Sequence, residues 1–213
     1  MTVKVWSNVQ IAVQSALAAA DTITGITKAN PGVVTSATHG LANGDYVYLT
    51  VSGMHQLNGR VARVANQTTN TFELEGIDSS LFDTFTSGTA EAITFGTSIT
   101  TATTVSASGG GFDMIDITTI HDNAKKEMPG LPAASTFTFE NIWDVADSGL
   151  IAMKNASDAQ AKRAFKFTFG SGGQIMVFAG YVGANLLPGG NAQDKVTTST
   201  TITMQGSPSY YAS

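Results

Sequence analysis

The fold is decided by the stretch RAFKFTFGSGGQIMVFAGYVG, residues 163–183. Phe165, Phe167 and Phe169 alternate with polar residues, which is the two-residue period of a strand that buries one face. The glycine-rich residues 170–173 then predict a turn. The run that follows is apolar at both parities, so it must be covered on both faces, either by layers of the same chain or by a neighbouring molecule.

Strand-like alternation bounded by Gly, Asn and Pro recurs along the chain and predicts a mainly β protein. Val9, Ile11 and Val13 alternate with polar residues and favour a strand near the amino end. In the last run, residues 195–206, one parity contains Val196, Ile202 and Met204 and is expected to pack. The other parity is wholly hydroxyl and predicts a wet but uncharged wall, formed by Thr197, Ser199, Thr201 and Thr203.

One short α-helix is predicted, within NIWDVADSGLIAMKNASDA, residues 141–159. Asp147 or Ser148 can cap its amino end, and Leu150, Ile151 and Met153 form an apolar stripe. The polar residues 155–158 are expected to end it.

Residues 24–90 have the pattern of a separate small all-β domain. Closely spaced turn signals divide them, and the runs between alternate cleanly, as in YVYLTV at 46–51 and TFELEG at 71–76. Neither flank is expected to fold alone, so we predict that residues 24–90 are inserted into a larger domain formed by residues 1–23 and 91–213.

The composition excludes several classes of function. Charged residues make up only 13% of the chain, which favours a surface covered by further copies of the same chain. The net charge is −5 and no basic run is longer than the pair Lys125-Lys126, which is evidence against a nucleic-acid-binding face. The absence of cysteine rules out disulfides and thiolate sites. Residues 1–21 lack the pattern of a signal peptide, so we expect a protein used without export.

The stretch GGGFDMIDITTIHDNAKKEMPG, residues 109–130, concentrates charge behind three glycines. It can be interpreted as a metal or catalytic site, or as an arm that reaches another subunit. Its spacing fits no metal motif, and its glycines predict a chain too free to hold ligands rigidly. We favour an arm whose apolar residues become buried on assembly and whose charges set the register between subunits. The predicted arm residues are Phe112, Asp113, Met114, Ile115, Asp116, Ile117, Ile120, His121 and Asp122.

Other chemistries have weaker support. The histidines at 39, 55 and 121 lie far apart in sequence, and no serine lies in a Gly-x-Ser-x-Gly elbow. The glycine groups at 109–111 and 170–173 lack the features of nucleotide loops and are interpreted as hinge and turn. Tyr46 and Tyr48 provide a candidate glycan-stacking surface on the 24–90 domain.

The carboxyl-terminal part of the chain resembles the major tail tube proteins of lambda-like bacteriophages with long, non-contractile tails. The shared order is a basic-aromatic strand, a Gly turn, an apolar strand ending in Gly-Tyr-Val, a polar linker, a Thr-rich strand and a final Gly-x-Pro. These landmarks lie at residues 163–169, 170–173, 177–182, 193–195, 196–204 and 206–208.

Residues 24–90 resemble the small β module called the FCCH-like domain, after ubiquitin-activating enzymes, which recurs in phage tail proteins. The resemblance implies no activity, because the catalytic cysteine of those enzymes lies elsewhere and this chain has none. Its fingerprint here is Asn30-Pro31, His39-Gly40-Leu41, Asn43-Gly44-Asp45, Met54, Leu57-Asn58-Gly59 and Asn70-Thr71-Phe72.

The tail tube resemblance implies a small β-sandwich or barrel with one short helix and no enzymatic activity or cofactor. It implies homohexameric rings that stack into a hollow tube, conduct double-stranded DNA without sequence-specific binding, and carry the 24–90 domain on the outside. Expected partners are the tape measure, tail terminator and tail tip proteins, in a virion tail assembled in the host cytoplasm. The alternatives are an adhesion module that binds surface glycans through Tyr46 and Tyr48, and a hydrolase dependent on His121.

Overall fold

A computed structural model describes residues 7–170 and 173–212. Residues 171 and 172 of the predicted glycine turn lie outside the described residues, as do residues 1–6 of the predicted larger domain. The strands are β1 Val9–Leu17, β2 Asp21–Ile23, β3 Gly25–Ile26, β4 Val33–Thr35, β5 Tyr46–Ser52, β6 Val61–Ala65, β7 Thr71–Leu74, β8 Ser87–Ile99, β9 Ala102–Ser108, β10 Phe112–Asp116, β11 Glu127–Pro132, β12 Thr136–Ile142, β13 Lys162–Phe169, β14 Ile175–Gly183 and β15 Thr197–Tyr211. A 3₁₀ turn, His55–Leu57, and one helix, α1 Ser148–Asp158, complete the described elements.

Thirteen strands form one curled, half-barrel sheet in which every pairing is antiparallel. Its order is β3-β4-β7-β6-β5-β8-β1-β13-β14-β15-β12-β9, and β2 pairs with β8 off this path. β10 and β11 form a separate hairpin. The prediction of a mainly β fold with one short helix is confirmed. Within the described part of the chain, no helix has the length and apolar character needed to cross a membrane.

The hairpin of β13 and β14 lies inside the half-barrel sheet, between β1 and β15. Phe165 pairs with Phe178, and both side chains are buried. The even positions of β14, such as Phe178, face a core shared with α1, which we call the large core; it comprises Ile11, Val13, Ile99, Phe139, Leu150, Met153, Ala156, Phe165, Phe167, Met176, Phe178, Val182, Ala184 and Ile202. Val177 and Ala179 face the opposite side and are buried as well. The prediction that this strand is covered on both faces is confirmed for residues 176–180, whereas Tyr181 and Gly183 at its end are exposed.

The helix begins where the sequence predicts. The Asp147 side chain accepts a hydrogen bond from the Leu150 backbone N–H at 2.8 Å, which satisfies one of the unpaired donors of the first turn. The helix ends at Asp158, within the polar residues 155–158 that the sequence predicts as its end, and these residues form its last turn. Ala156 is buried in the large core, and Lys154 pairs with Asp158 one turn later, so this polar run supports the last turn.

The 24–90 region has a core of its own. Val47, Leu49 and Val51 of β5 are buried, as are Phe72 and Leu74 of β7, in agreement with the predicted alternation. β8 nevertheless pairs with β5 over residues 87–93 and with β1 over residues 93–99. The predicted boundary at residue 90 therefore lies inside a strand, and the division into two domains stays a prediction.

A third cluster joins the 24–90 region to the rest of the sheet, and we call it the joint core. Its buried members are Val61, Ile93, Ala164, Val177, Ala179 and Tyr211. The Arg63 backbone N–H donates to the Tyr211 hydroxyl at 2.8 Å, and the Arg63 guanidinium lies 4.6 Å from the centre of the Tyr211 ring. Ser209 donates to the Val61 carbonyl at 2.7 Å and accepts from the Arg60 side chain at 2.9 Å.

Both arginines at the joint core have polar partners, a carboxylate for Arg63 and the Ser209 hydroxyl for Arg60. Arg63 forms an ion pair with Glu75, and the hydrogen bonds that its guanidinium donates to this carboxylate raise the pKa of Arg63. Burial lowers the pKa of Arg60 and raises that of Tyr211. The end of β15 is thus fastened to β6 by buried hydrogen bonds as well as by apolar contact, which fixes how the 24–90 region sits on the sheet.

We predict that Phe178→Ala lowers the free energy of unfolding by about 3–5 kcal/mol, because a buried ring leaves a cavity. The ring stacks on Phe137 at 5.0 Å and on Phe165 at 5.7 Å. Urea unfolding of the isolated subunit measures the change. Phe112→Ala removes the same ring where it is 59% exposed, and is expected to cost less than about 0.5 kcal/mol. Equal unfolding midpoints for the two variants would contradict the assigned core.

Candidate assembly site

The arm is a β-hairpin that leaves the sheet after β9 and returns to it at β12. Ile115 pairs with Met128 and Asp116 with Glu127. At its root, Gly110 N–H donates to the Ala133 carbonyl and Ala133 N–H donates to the Gly111 carbonyl. A β-carbon on Gly109 would lie 2.2 Å from the Ala134 carbonyl oxygen, so glycine is required there by the close approach of the two chains.

Apolar side chains of the arm are exposed on both faces of the hairpin. Ile120 is 97% exposed and Leu131 84%, and all the large apolar residues of the segment are at least 46% exposed. Met128 and Leu131, on the returning strand, belong with the predicted arm residues although the sequence analysis did not select them. An isolated two-stranded hairpin is marginally stable in water, and clustered exposed apolar groups mark an interaction surface. The exposed set is Phe112, Met114, Ile115, Ile117, Ile120, Met128 and Leu131.

Most charges of the arm are used in its own tip. Asp116 accepts from the Thr118 backbone N–H at 2.8 Å, and hydrogen bonding from Thr118 lowers the pKa of this carboxyl. Asp122 pairs with Lys126 and accepts from Thr119, and these bonds, chiefly that of Lys126, lower its pKa. Carboxylates engaged in this way hold a turn, and among the described residues no group of three or more His, Asp and Glu is placed to hold a metal ion.

The histidines are also dispersed in the structure. His39 is buried in the 24–90 region, where its Nδ1 accepts from the Leu41 N–H at 3.1 Å and its ring meets the edge of Phe72. His55 lies in the 3₁₀ turn, and His121 lies in the arm. The contacts with Leu41 and Phe72 assign a structural role to His39.

The alternation predicted for β15 is present. Thr198, Thr200 and Ile202 are buried, whereas the opposite parity is half-buried or exposed. Val196 is an exception, because it precedes the strand and is 46% exposed. Whether the outer parity, Thr197, Ser199, Thr201 and Thr203, faces a lumen stays a prediction.

Tyr46 and Tyr48 lie on β5 of the 24–90 region, and their side chains face the joint core. The Tyr46 ring meets Phe95 edge-on at 5.4 Å, and the Lys166 ammonium lies 5.3 Å from its centre. Burial raises the pKa of Tyr46. Lys162 donates to the Tyr48 hydroxyl at 3.5 Å. Both rings pack against the joint core, a position that favours a structural role over the predicted glycan contact.

Comparison with known proteins identifies one family. The model of the family described as "Phage tail tube protein, TTP" matches residues 52–213 of the 213-residue chain. The match starts at the end of β5 and includes the arm, α1 and the hairpin of β13 and β14. A search of curated proteins found no match.

We predict that Tyr46→Ala lowers the free energy of unfolding by about 1–3 kcal/mol, because the half-buried ring packs on Phe95 and on Tyr211. Thermal unfolding measures the loss. Tyr210→Ala, whose ring is 69% exposed on the same sheet, is the matched control and is expected to change little. A Tyr46→Ala protein as stable as the control would show that the ring is dispensable to the joint core.

Proposed function

Because the chain belongs to the family of phage tail tube proteins, we propose that it forms hexameric rings that stack into a hollow, DNA-conducting tube. Family membership makes it a structural, self-assembling subunit of the virion tail. Ring symmetry and conduction of the genome are the steps that the proposal adds. The lambda-like character and the FCCH-like nature of the 24–90 region belong to the same proposal.

The exposed apolar surface of the arm is the observation that carries this proposal. Each fully buried Met, Ile or Phe side chain contributes about 1.5–3 kcal/mol relative to an exposed one, so leaving the whole set in water is costly. The arm of one subunit lying against the next in a ring or stack removes this surface from water. Asp113 and the paired charges of the tip then set the register of the contact.

The charge distribution supports passage of DNA without retention. Tight binding of a duplex requires lysines and arginines that release counterions from phosphates. No basic run of the chain is longer than two residues, and the ammonium groups of one such pair, Lys125-Lys126, pair with carboxylates of the arm, Glu127 and Asp122. With a net charge of −5, the subunit offers the duplex little to hold it.

The remaining expectations complete the proposed assembly. We place the 24–90 region on the outside of the tube, since a domain of this size in the lumen would obstruct the duplex. The tape measure protein is the partner of the subunit during tube assembly. The tail terminator and tail tip proteins are its partners at the two ends of the tube, and assembly takes place in the host cytoplasm.

We predict that Met114→Ser combined with Ile115→Ser leaves a folded subunit that does not polymerise, because the arm loses two apolar contacts without losing any core residue. Circular dichroism checks the fold, and electron microscopy at high protein concentration checks for rings and tubes with sixfold symmetry.

The matched control is Leu81→Ser, which removes an equally bulky side chain, 95% exposed, from the 24–90 region. This variant should form tubes like the wild type. Normal tubes from the double arm variant would refute the arm as the polymerisation contact, and wild-type protein that stays monomeric under every condition would refute the tube itself.

A further inference from the structure

The strand register shows which residues share a face of the sheet with the 24–90 region. Directly paired residues in a β-ladder point to the same side. Val177 pairs with Ser209, and Tyr181 pairs with Thr203. Since Val177 belongs to the joint core, the outer parity of β15 and the joint core lie on the same face of the sheet. Because the sheet is a curled half-barrel, this face points in different directions at its two ends, β9 and the strands of the 24–90 region.

The same face continues across β12 and β9. Thr138 pairs with Thr201 on one side and with Ser106 on the other, and Glu140 pairs with Ser199 and Thr104. Three neighbouring strands thus present a continuous area of half-buried or exposed hydroxyls, which we call the hydroxyl face. Its members are Thr104, Ser106, Ser108, Thr136, Thr138, Thr197, Ser199, Thr201 and Thr203.

On β12 and β15 the opposite face is closed by the chain itself, whereas on the edge strand β9 it is partly open, with Val105 half-buried and Ala107 exposed. Phe139 and Ile202 are fully buried in the large core, and the Thr200 hydroxyl contacts the Met153 sulfur of α1 at 3.7 Å. A channel wall that includes β12 and β15 can therefore be formed only by their hydroxyl face.

We propose that the hydroxyl face is the channel wall past which the double-stranded DNA moves. This inference rests on the proposed function and names the residues that meet the duplex. On β9, β12 and β15 the face carries one carboxylate, Glu140, and no lysine or arginine. Lys162 lies at its margin, where its ammonium is 5.7 Å from the centre of the Tyr181 ring. Neutral hydroxyls offer phosphates only weak hydrogen bonds that water replaces readily, whereas each lysine or arginine contact adds a counterion-release term that holds the DNA.

A second copy of the chain fits this face poorly. Protein interfaces have apolar and aromatic centres and are depleted in serine. The large apolar neighbours of the hydroxyl face, Ile142 and Tyr181, lie at its margins, and the chain concentrates its exposed apolar residues on the arm instead. The two surfaces therefore suit different partners.

Single cysteines test the assignment directly, because the chain has none of its own. Ser199→Cys and Ser106→Cys place a thiol at exposed positions on β15 and β9, and Ser80→Cys places one on the exposed surface of the 24–90 region. Each variant is assembled into tubes and treated with a small maleimide or with maleimide attached to serum albumin. The free subunits provide the reference.

In free subunits all three thiols should react with both reagents. In tubes, the thiols at 199 and 106 should still react with the small maleimide, because the channel contains water, but not with the albumin reagent. The thiol at 80 should react with both. This pattern distinguishes a lumen from the outer surface and from a subunit contact.

Three results overturn the inference alone: albumin labelling of 199 and 106 in tubes, loss of labelling by both reagents, or failure of both hydroxyl-face variants to assemble while Ser80→Cys does. The last two identify the face as a subunit contact. If the wild-type chain forms no tube, the proposed function fails and the inference fails with it.

Discussion

The constraint on which the rest of the structure depends is that β14 is apolar on both faces. Phe178 and its even neighbours need one core, and Val177 and Ala179 need another. The chain provides α1 and the half-barrel on one side, and the 24–90 region with the end of β15 on the other. The 24–90 region therefore contributes to the packing of the whole subunit, since removing it would expose the joint core to water. A failure of such a deletion to assemble would reflect this exposure as well as any loss of contacts between subunits.

A further consequence is that the carboxyl-terminal end of β15 is hydrogen-bonded to β6. Ser209 and Tyr211 bond to β6 across almost 150 residues of sequence, through buried hydrogen bonds whose loss would leave polar groups unsatisfied. A surface held in this way is presented at a constant orientation. That rigidity suits a subunit repeated many times along a tube, because a small angular variation at each copy accumulates with length.

Local signals predicted much of this fold. The alternation in β5, β7, β13 and β15 and the cap at Asp147 depend on neighbours a few residues away, and the structure contains them as expected. Contacts between residues far apart in sequence could not be predicted in this way. Nothing near Tyr46 in sequence reveals that Phe95 and Tyr211 pack on it, so its aromatic character was read as a surface signal. The hydroxyl face was seen only on β15, because Ser106 and Thr138 join it through register alone.

The low charge content of the chain bears on both the arm and the hydroxyl face. A chain with 13% charged residues has few means of keeping exposed strands apart, and β9 is an edge strand among the described residues, with neither proline nor charge in Ala102–Ser108. Such an edge invites pairing with another chain. In the proposed closed ring that pairing would be satisfied instead of hazardous, and the hydroxyl face next to β9 would continue from one subunit to the next. The scarcity of charge that makes the isolated subunit prone to associate would thus leave the proposed channel wall almost neutral toward a polyanion.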